Sequence, residues 1–153
     1  RAIDIQPKGE YIINRGATQA RLGNMQQAME DLNRGLEKKP DHKTGYMNRS
    51  ILHASMGNLE KQIQDLTKYI ELDPGNPDIF YERGRAKRRL NRYQPALEDF
   101  NQAIRMNPQK GMYYYERSKV YHAMGNQSRA RQDFERARQL GANIEPEYAK
   151  RFQ

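Results

Sequence analysis

The sequence predicts an all-α solenoid, a stack of about four helical hairpins, and three observations carry that prediction. The first is self-similarity at a spacing of 34 residues. Arg15, Arg49, Arg83 and Arg117 fall in register, and so do Asp31, Asp65, Asp99 and Asp133. A repeat of this length is the signature of stacked helix–turn–helix units, each unable to bury its apolar face alone. The second is punctuation. Gly23-Asn24, Gly57-Asn58, Asn91-Arg92 and Gly125-Asn126 stand where the first helix of each unit should end, and Pro40, Pro74 and Pro108 where the second should. Gly and Asn tolerate the left-handed conformation that closes a helix, whereas proline lacks the N–H and clashes with the preceding turn. The third is composition. With 36% hydrophobic and 30% charged residues among 153, the chain suits thin amphipathic layers better than one central core.

Taken in order, residues 1–8 read as the end of a repeat, since Ala2, Ile3, Ile5 and Pro7 match Ala103, Ile104, Met106 and Pro108. A preceding unit is therefore expected upstream of Arg1. The full units are 9–42, 43–76, 77–110 and 111–144, each carrying two helical patterns around its turn. Asp73-Pro74-Gly75-Asn76-Pro77 is the strongest breaker. Residues 145–153 place Pro146 at a first helical position and predict a helix capping the last unit. Residues 1–153 are thus read as one repeat domain.

Within residues 77–110, Phe80, Gly84, Ala96, Phe100, Ala103 and Pro108 occupy positions 4, 8, 20, 24, 27 and 32 of the unit. The fourth unit repeats this with Tyr114, Ser118, Ala130, Phe134 and Ala137, and adds Tyr121 at position 11. This pattern resembles the tetratricopeptide repeat, over nearly the whole chain. Small residues at 8 and 20 let two helices approach closely, and large ones at 4 and 24 fill the space between neighbours. Lys87 departs from the aromatic of position 11, and His53 stands at the same place in the second unit. Gln62 and Tyr69 replace small residues, so the second unit is expected to pack more loosely than the third. The register of Arg and Asp reads as a structural pairing, either within a hairpin or to its neighbour, in which a guanidinium meets a carboxylate through two hydrogen bonds.

The resemblance implies a right-handed superhelix and a role as an interaction scaffold or adaptor that binds an extended peptide on a concave face lined by the first helices. Carried onto this chain, that face offers Ile13, Asn14, Ala17, Ala20, Met47, Asn48, Ile51 and Ala54 in its first half. In its second half it offers Tyr81, Glu82, Arg85, Arg88, Arg89, Tyr115, Glu116, Lys119 and His122. The net charge of +8 follows the same division: units 9–42 and 43–76 are neutral, while 77–110 carries +4 and 111–144 carries +3. A partner segment with apolar and acidic or phosphorylated residues is the expected ligand. Asn14, Asn48, Tyr81, Arg85, Arg88, Arg89, Tyr115, Lys119 and His122 are its candidate contacts. The family's clamp for a C-terminal carboxylate is matched only at Asn48.

Other chemistries find less support. His42, His53 and His122 are scattered without metal spacing, no glycine-rich phosphate loop occurs, and the repeated carboxylates belong to the ladder, so neither catalysis nor a cofactor is expected. The absence of cysteine excludes disulfides and thiolate metal sites. No apolar run is long enough to span a membrane. Single-stranded nucleic acid is an alternative partner because basic residues interleave with Tyr81, Tyr93, Tyr113, Tyr114 and Tyr115, but Glu82 and Glu116 would repel phosphates. Self-association through the open first half-hairpin is another. The compartment is left open, with the cytoplasm slightly favoured and a targeting segment ahead of Arg1 allowed for.

Overall fold

The computed structural model describes residues 8–152, so the reading of Ala2, Ile3 and Ile5 as the close of a preceding unit lies outside the described residues. The described residues divide at Pro74 into two compact units. The first contains α1 (Gly9–Arg21), α2 (Met25–Lys38), α3 (Lys43–Ser55) and α4 (Leu59–Leu72). The second contains α5 (Pro77–Arg89), α6 (Tyr93–Met106), α7 (Gly111–Ala123), α8 (Gln127–Gln139), the short α9 (Pro146–Ala149) and a 3-10 turn over Lys150–Phe152. Among the described residues there is no strand. Helices pair as hairpins, α1 with α2, α3 with α4, α5 with α6 and α7 with α8.

Each hairpin turn has the same construction. Gly23, Gly57 and Gly125 take φ of 84°, 75° and 78°, and Asn91 takes 58°. The N–H of the following residue then bonds back to the carbonyl five residues earlier, as Asn24 to Gln19 (2.9 Å), Asn58 to His53 (2.8 Å), Arg92 to Lys87 (2.9 Å) and Asn126 to Tyr121 (2.9 Å). α2, α4 and α6 stop two residues before Pro40, Pro74 and Pro108. His42 caps α3, its Nδ1 accepting from the Gly45 N–H at 3.1 Å, a role the sequence pattern does not disclose.

Small residues set the spacing within a hairpin. A Cβ on Gly35 would lie 2.5 Å from Ile13 Cγ1, and one on Gly84 would lie 2.9 Å from Phe100 Cε1. In the first unit Ile13, Ala28, Leu32, Leu36, Tyr46 and Leu52 form one buried cluster. In the second, Phe100 and Tyr113 centre one cluster, while Phe134, Tyr148 and Phe152 centre another.

The charge ladder closes within hairpins. Arg15, Arg49, Arg83 and Arg117 each donate two hydrogen bonds, of 2.6 to 3.0 Å, to the aspartate sixteen residues on. Two of them also tie neighbouring hairpins of one unit together, Arg49 Nη1 to Asn33 Oδ1 at 2.9 Å and Arg117 Nη1 to Asn101 Oδ1 at 2.7 Å. An aromatic ring at position 4 lies under three of the guanidinium groups, 5.5 to 5.8 Å away. The aspartates are buried, so losing the partner of any one of them leaves a charge without compensation inside the fold.

Position 11 decides how each aspartate is completed. Lys87, the departure from the family pattern, places its Nζ 2.8 Å from Asp99 Oδ2, so that this carboxylate carries two cations. His53 is buried with its Nε2 3.7 Å from Asp65 Oδ2, while its Nδ1 has no partner among the described residues. Burial lowers the His53 pKa, Asp65 opposes that shift, and Arg49 and Lys61 add to it. Gln62 is buried too, with its Oε1 unpartnered among the described residues.

Two outcomes follow from this arrangement. Asp99→Ala removes the buried carboxylate that Arg83 and Lys87 share and should cost about 3–5 kcal/mol in a denaturant melt; Asp31→Ala should cost less, because the Arg15 side chain is 41% exposed. For His53, the folded chain favours the neutral ring, so below the ordinary value of about 6.5 the unfolded chain binds a proton that the folded chain resists. Stability should therefore fall as pH drops through that value, and melts of His53→Phe at pH 7 and pH 5 should show a smaller loss.

Candidate functional site

In the first unit α1 and α3 stand side by side with small residues between them, and this leaves a groove of about 500 Å³. Ala17 and Ala20 form one wall, Asn48, Ile51 and Ser55 the other, and Leu52 the floor. Met25 and Arg21 stand at the rim. Ile51 is 53% exposed and Met25 41%. An apolar concavity with a few polar groups is the usual form of a binding site. Asn14 is exposed on α1, and Asn48 projects into the groove itself. Ile13, expected on this face, instead lies wholly buried against Gly35 and Gly45. The small residues that draw α1 toward its neighbours also draw Ile13 inside.

In the second unit the expected contacts separate into core, paired and free groups. Tyr81 is 9% exposed and packs on Phe100 and Tyr113, with ring centroids 6.1 and 5.2 Å away. Burial pushes its phenol up to about 12. Tyr115 is 2% exposed, meets Tyr148 edge-on at 5.4 Å, and accepts a hydrogen bond from the Glu145 N–H at 3.2 Å. Neither ring presents a face to solvent, which corrects the expectation that both line an open surface. Position 5 of a first helix packs against the helical segment that opens the next repeat, Tyr113 of α7 in one case and Tyr148 of α9 in the other.

Arg85, Arg88 and Arg89 of α5 do not converge. Arg85 turns back to Glu82, its Nη1 3.2 Å from either carboxylate oxygen, with its guanidinium 5.5 Å from the Tyr81 ring centroid. Arg88 Nε donates to Glu116 Oε2 at 3.0 Å. Arg89 is exposed and has no partner among the described residues. Glu116 is the reason for the separation. It is only 4% exposed, and a carboxylate so placed needs compensation, which Arg88 and Lys119 supply. Lys119 also reaches Glu145 at 3.3 Å, and its Nζ sits 4.1 Å above the Tyr115 ring. His122 Nδ1 lies 3.0 Å from Gln127 Oε1, and its Nε2 is 3.2 Å from Arg151 Nη1.

Glu145, Tyr148 and Arg151 join this constellation and were not among the sequence candidates. A signal for two of them existed: at 34-residue spacing Tyr148 falls on Tyr114 and Arg151 on Arg117. Tyr148 keeps the packing role of that register, but Arg151 bonds to a histidine where its counterparts bond to aspartates. Among the described residues no three His, Cys, Asp or Glu side chains group as a metal site, and no helix is long and apolar enough to cross a membrane.

The hairpin arrangement is shared with solved structures of MamA. With MamA AMB-1 the TM-score is 0.83 at 22% identity, covering 94% of this chain and 78% of that one. With MamA MSR-1 it is 0.81 at 21%, covering 92% and 80%. With MamA 41-end from Desulfovibrio magneticus RS-1 it is 0.80 at 16%, covering 87% and 75%. At such identities the likeness is one of fold. No curated protein matches the chain. The family model described as tetratricopeptide repeat matches residues 14–77 and 81–143, well over half of the sequence. With the repeated turns, small-residue contacts and 34-residue register in place, the chain belongs to the tetratricopeptide repeat family.

Proposed function

We propose that the chain is a protein-interaction scaffold whose first unit takes apolar side chains of an extended partner segment into the α1/α3 groove, with Asn14 and Asn48 available to its backbone. The observation that carries this reading is the groove itself, with Ile51 half exposed above the buried Leu52. An isoleucine left this open on a helix flank gains from being covered, by about half of the roughly 1.5–3 kcal/mol that full burial of such a side chain contributes, because it is 53% exposed. Acidic residues of the partner find their counterpart in the second unit, where Arg89 is uncommitted and Arg85 is bound only by a short-range pair with Glu82. Such rim charges contribute to the association rate and its salt dependence more than to affinity. The stacking needed for single-stranded nucleic acid is poorly supplied, because Tyr81, Tyr113 and Tyr115 are buried.

The test is a fluorescence-anisotropy screen of peptides in which leucine alternates with glutamate, set against the same peptides with lysine. The glutamate series should bind more tightly. Ile51→Glu should weaken it about tenfold or more, as loss of one apolar anchor predicts, and Arg89→Glu should weaken it in a manner that fades with salt. Retention of full affinity by Ile51→Glu would remove the groove from consideration.

A further inference from the structure

At the C-terminal end of the second unit a cleft of about 390 Å³ is lined by Arg88, Lys119, His122, Glu145, Tyr148 and Arg151. Its cationic groups come from three directions: Arg88 from α5, Lys119 and His122 from α7, and Arg151 from the 3-10 turn. Arg88 and Lys119 bind the buried Glu116. Lys119 also binds Glu145, whose side chain is 72% exposed. Tyr148 Oη pairs with Ser118 Oγ at 3.0 Å. His122 lies between Gln127 and Arg151.

Two features of that account point to a ligand. Arg151 and His122 approach within 3.2 Å without a carboxylate between them, and Arg151 has no ion-pair partner among the described residues. An arginine directed at an imidazole, when each of its register counterparts holds an aspartate through two bonds, is a cation without its anion. Glu145 shows the complementary half. A carboxylate from the chain itself already rests on Lys119 at the cleft's edge, 3.3 Å from its Nζ, on a side chain that is 72% exposed and so weakly held. An incoming anion with more negative charge can displace it.

We infer that this cleft binds a phosphomonoester, the phosphorylated serine or threonine side chain of a protein partner, between Arg151, His122 and Lys119. Donors from two separate elements, Arg151 on the 3-10 turn and Lys119 with His122 on α7, suit a tetrahedral group with three terminal oxygens better than a planar carboxylate, which one guanidinium satisfies alone. A phosphate near neutral pH carries close to two charges, enough to outcompete Glu145. The His122 ring is held in place by Tyr148 and Phe152 edge-on at 6.0 and 6.2 Å. Glu145 then acts as a built-in competitor that keeps weaker anions out.

The experiment is calorimetric titration of the chain with N-acetyl-phosphoserine amide, its unphosphorylated form, inorganic phosphate and a single-stranded oligonucleotide. Arg151 and Glu145 are exposed, so Arg151→Gln and Glu145→Gln should fold, and circular dichroism melts confirm it. Phosphoserine should bind more tightly than the other three. Arg151→Gln should weaken it about tenfold, and Glu145→Gln should tighten it severalfold, since one removes a ligand and the other a competitor. Equal affinity for the unphosphorylated form, no binding, or no change in either variant overturns the inference. Tighter binding of inorganic phosphate points to a free anion, and tighter binding of the oligonucleotide to a nucleic acid, and each overturns the assignment to a protein side chain. The result is separable from the groove in the first unit, because Ile51→Glu alters no residue of this cleft.

Discussion

The structure depends on four buried carboxylates. An aspartate removed from water is costly unless a cation and further donors complete it. In every hairpin that requirement is met by the arginine sixteen residues earlier, on the other helix. One pairing thereby fixes which turn of the first helix faces which turn of the second. The apolar residues at positions 4 and 24 supply most of the favourable energy, but they would tolerate sliding by a turn. The paired charges do not, because a slip leaves a charge without its partner. Asn33 and Asn101 extend the same constraint from one hairpin to its neighbour within each unit.

Glu116 imposes a similar demand on a different face. It engages Arg88 and Lys119, so part of the positive charge of residues 77–144 is already balanced by a buried acid. Arg89 on α5 and Arg151 beside His122 have no carboxylate partner among the described residues.

The sequence was most legible where a residue type has one physical use. Glycine and asparagine at the turns, small residues at the close helix contacts and the register of Arg and Asp all behave as their chemistry requires. It was least legible where a side chain chooses among partners far along the chain. Arg85, Arg88 and Arg89 share spacing on one helix, yet nothing local shows that Arg88 belongs to an acid 28 residues away. Tyr81 and Tyr115 look like surface aromatics by position, but the depth of position 5 is set by what packs over it. Lys87 looks like a fault in the pattern and is instead a second cation for Asp99.

Among the described residues of the first unit, two buried polar atoms are left without protein partners, His53 Nδ1 and Gln62 Oε1, and both belong to the hairpin of α3 and α4. In a linear array each hairpin leans only on its neighbours, so local weakness is not averaged over a common core. Transient opening should then be concentrated in this hairpin, whose amides would exchange with solvent ahead of those in α1 and α2. The α1/α3 groove has one wall on that hairpin, so the width of the groove should follow the hairpin's opening.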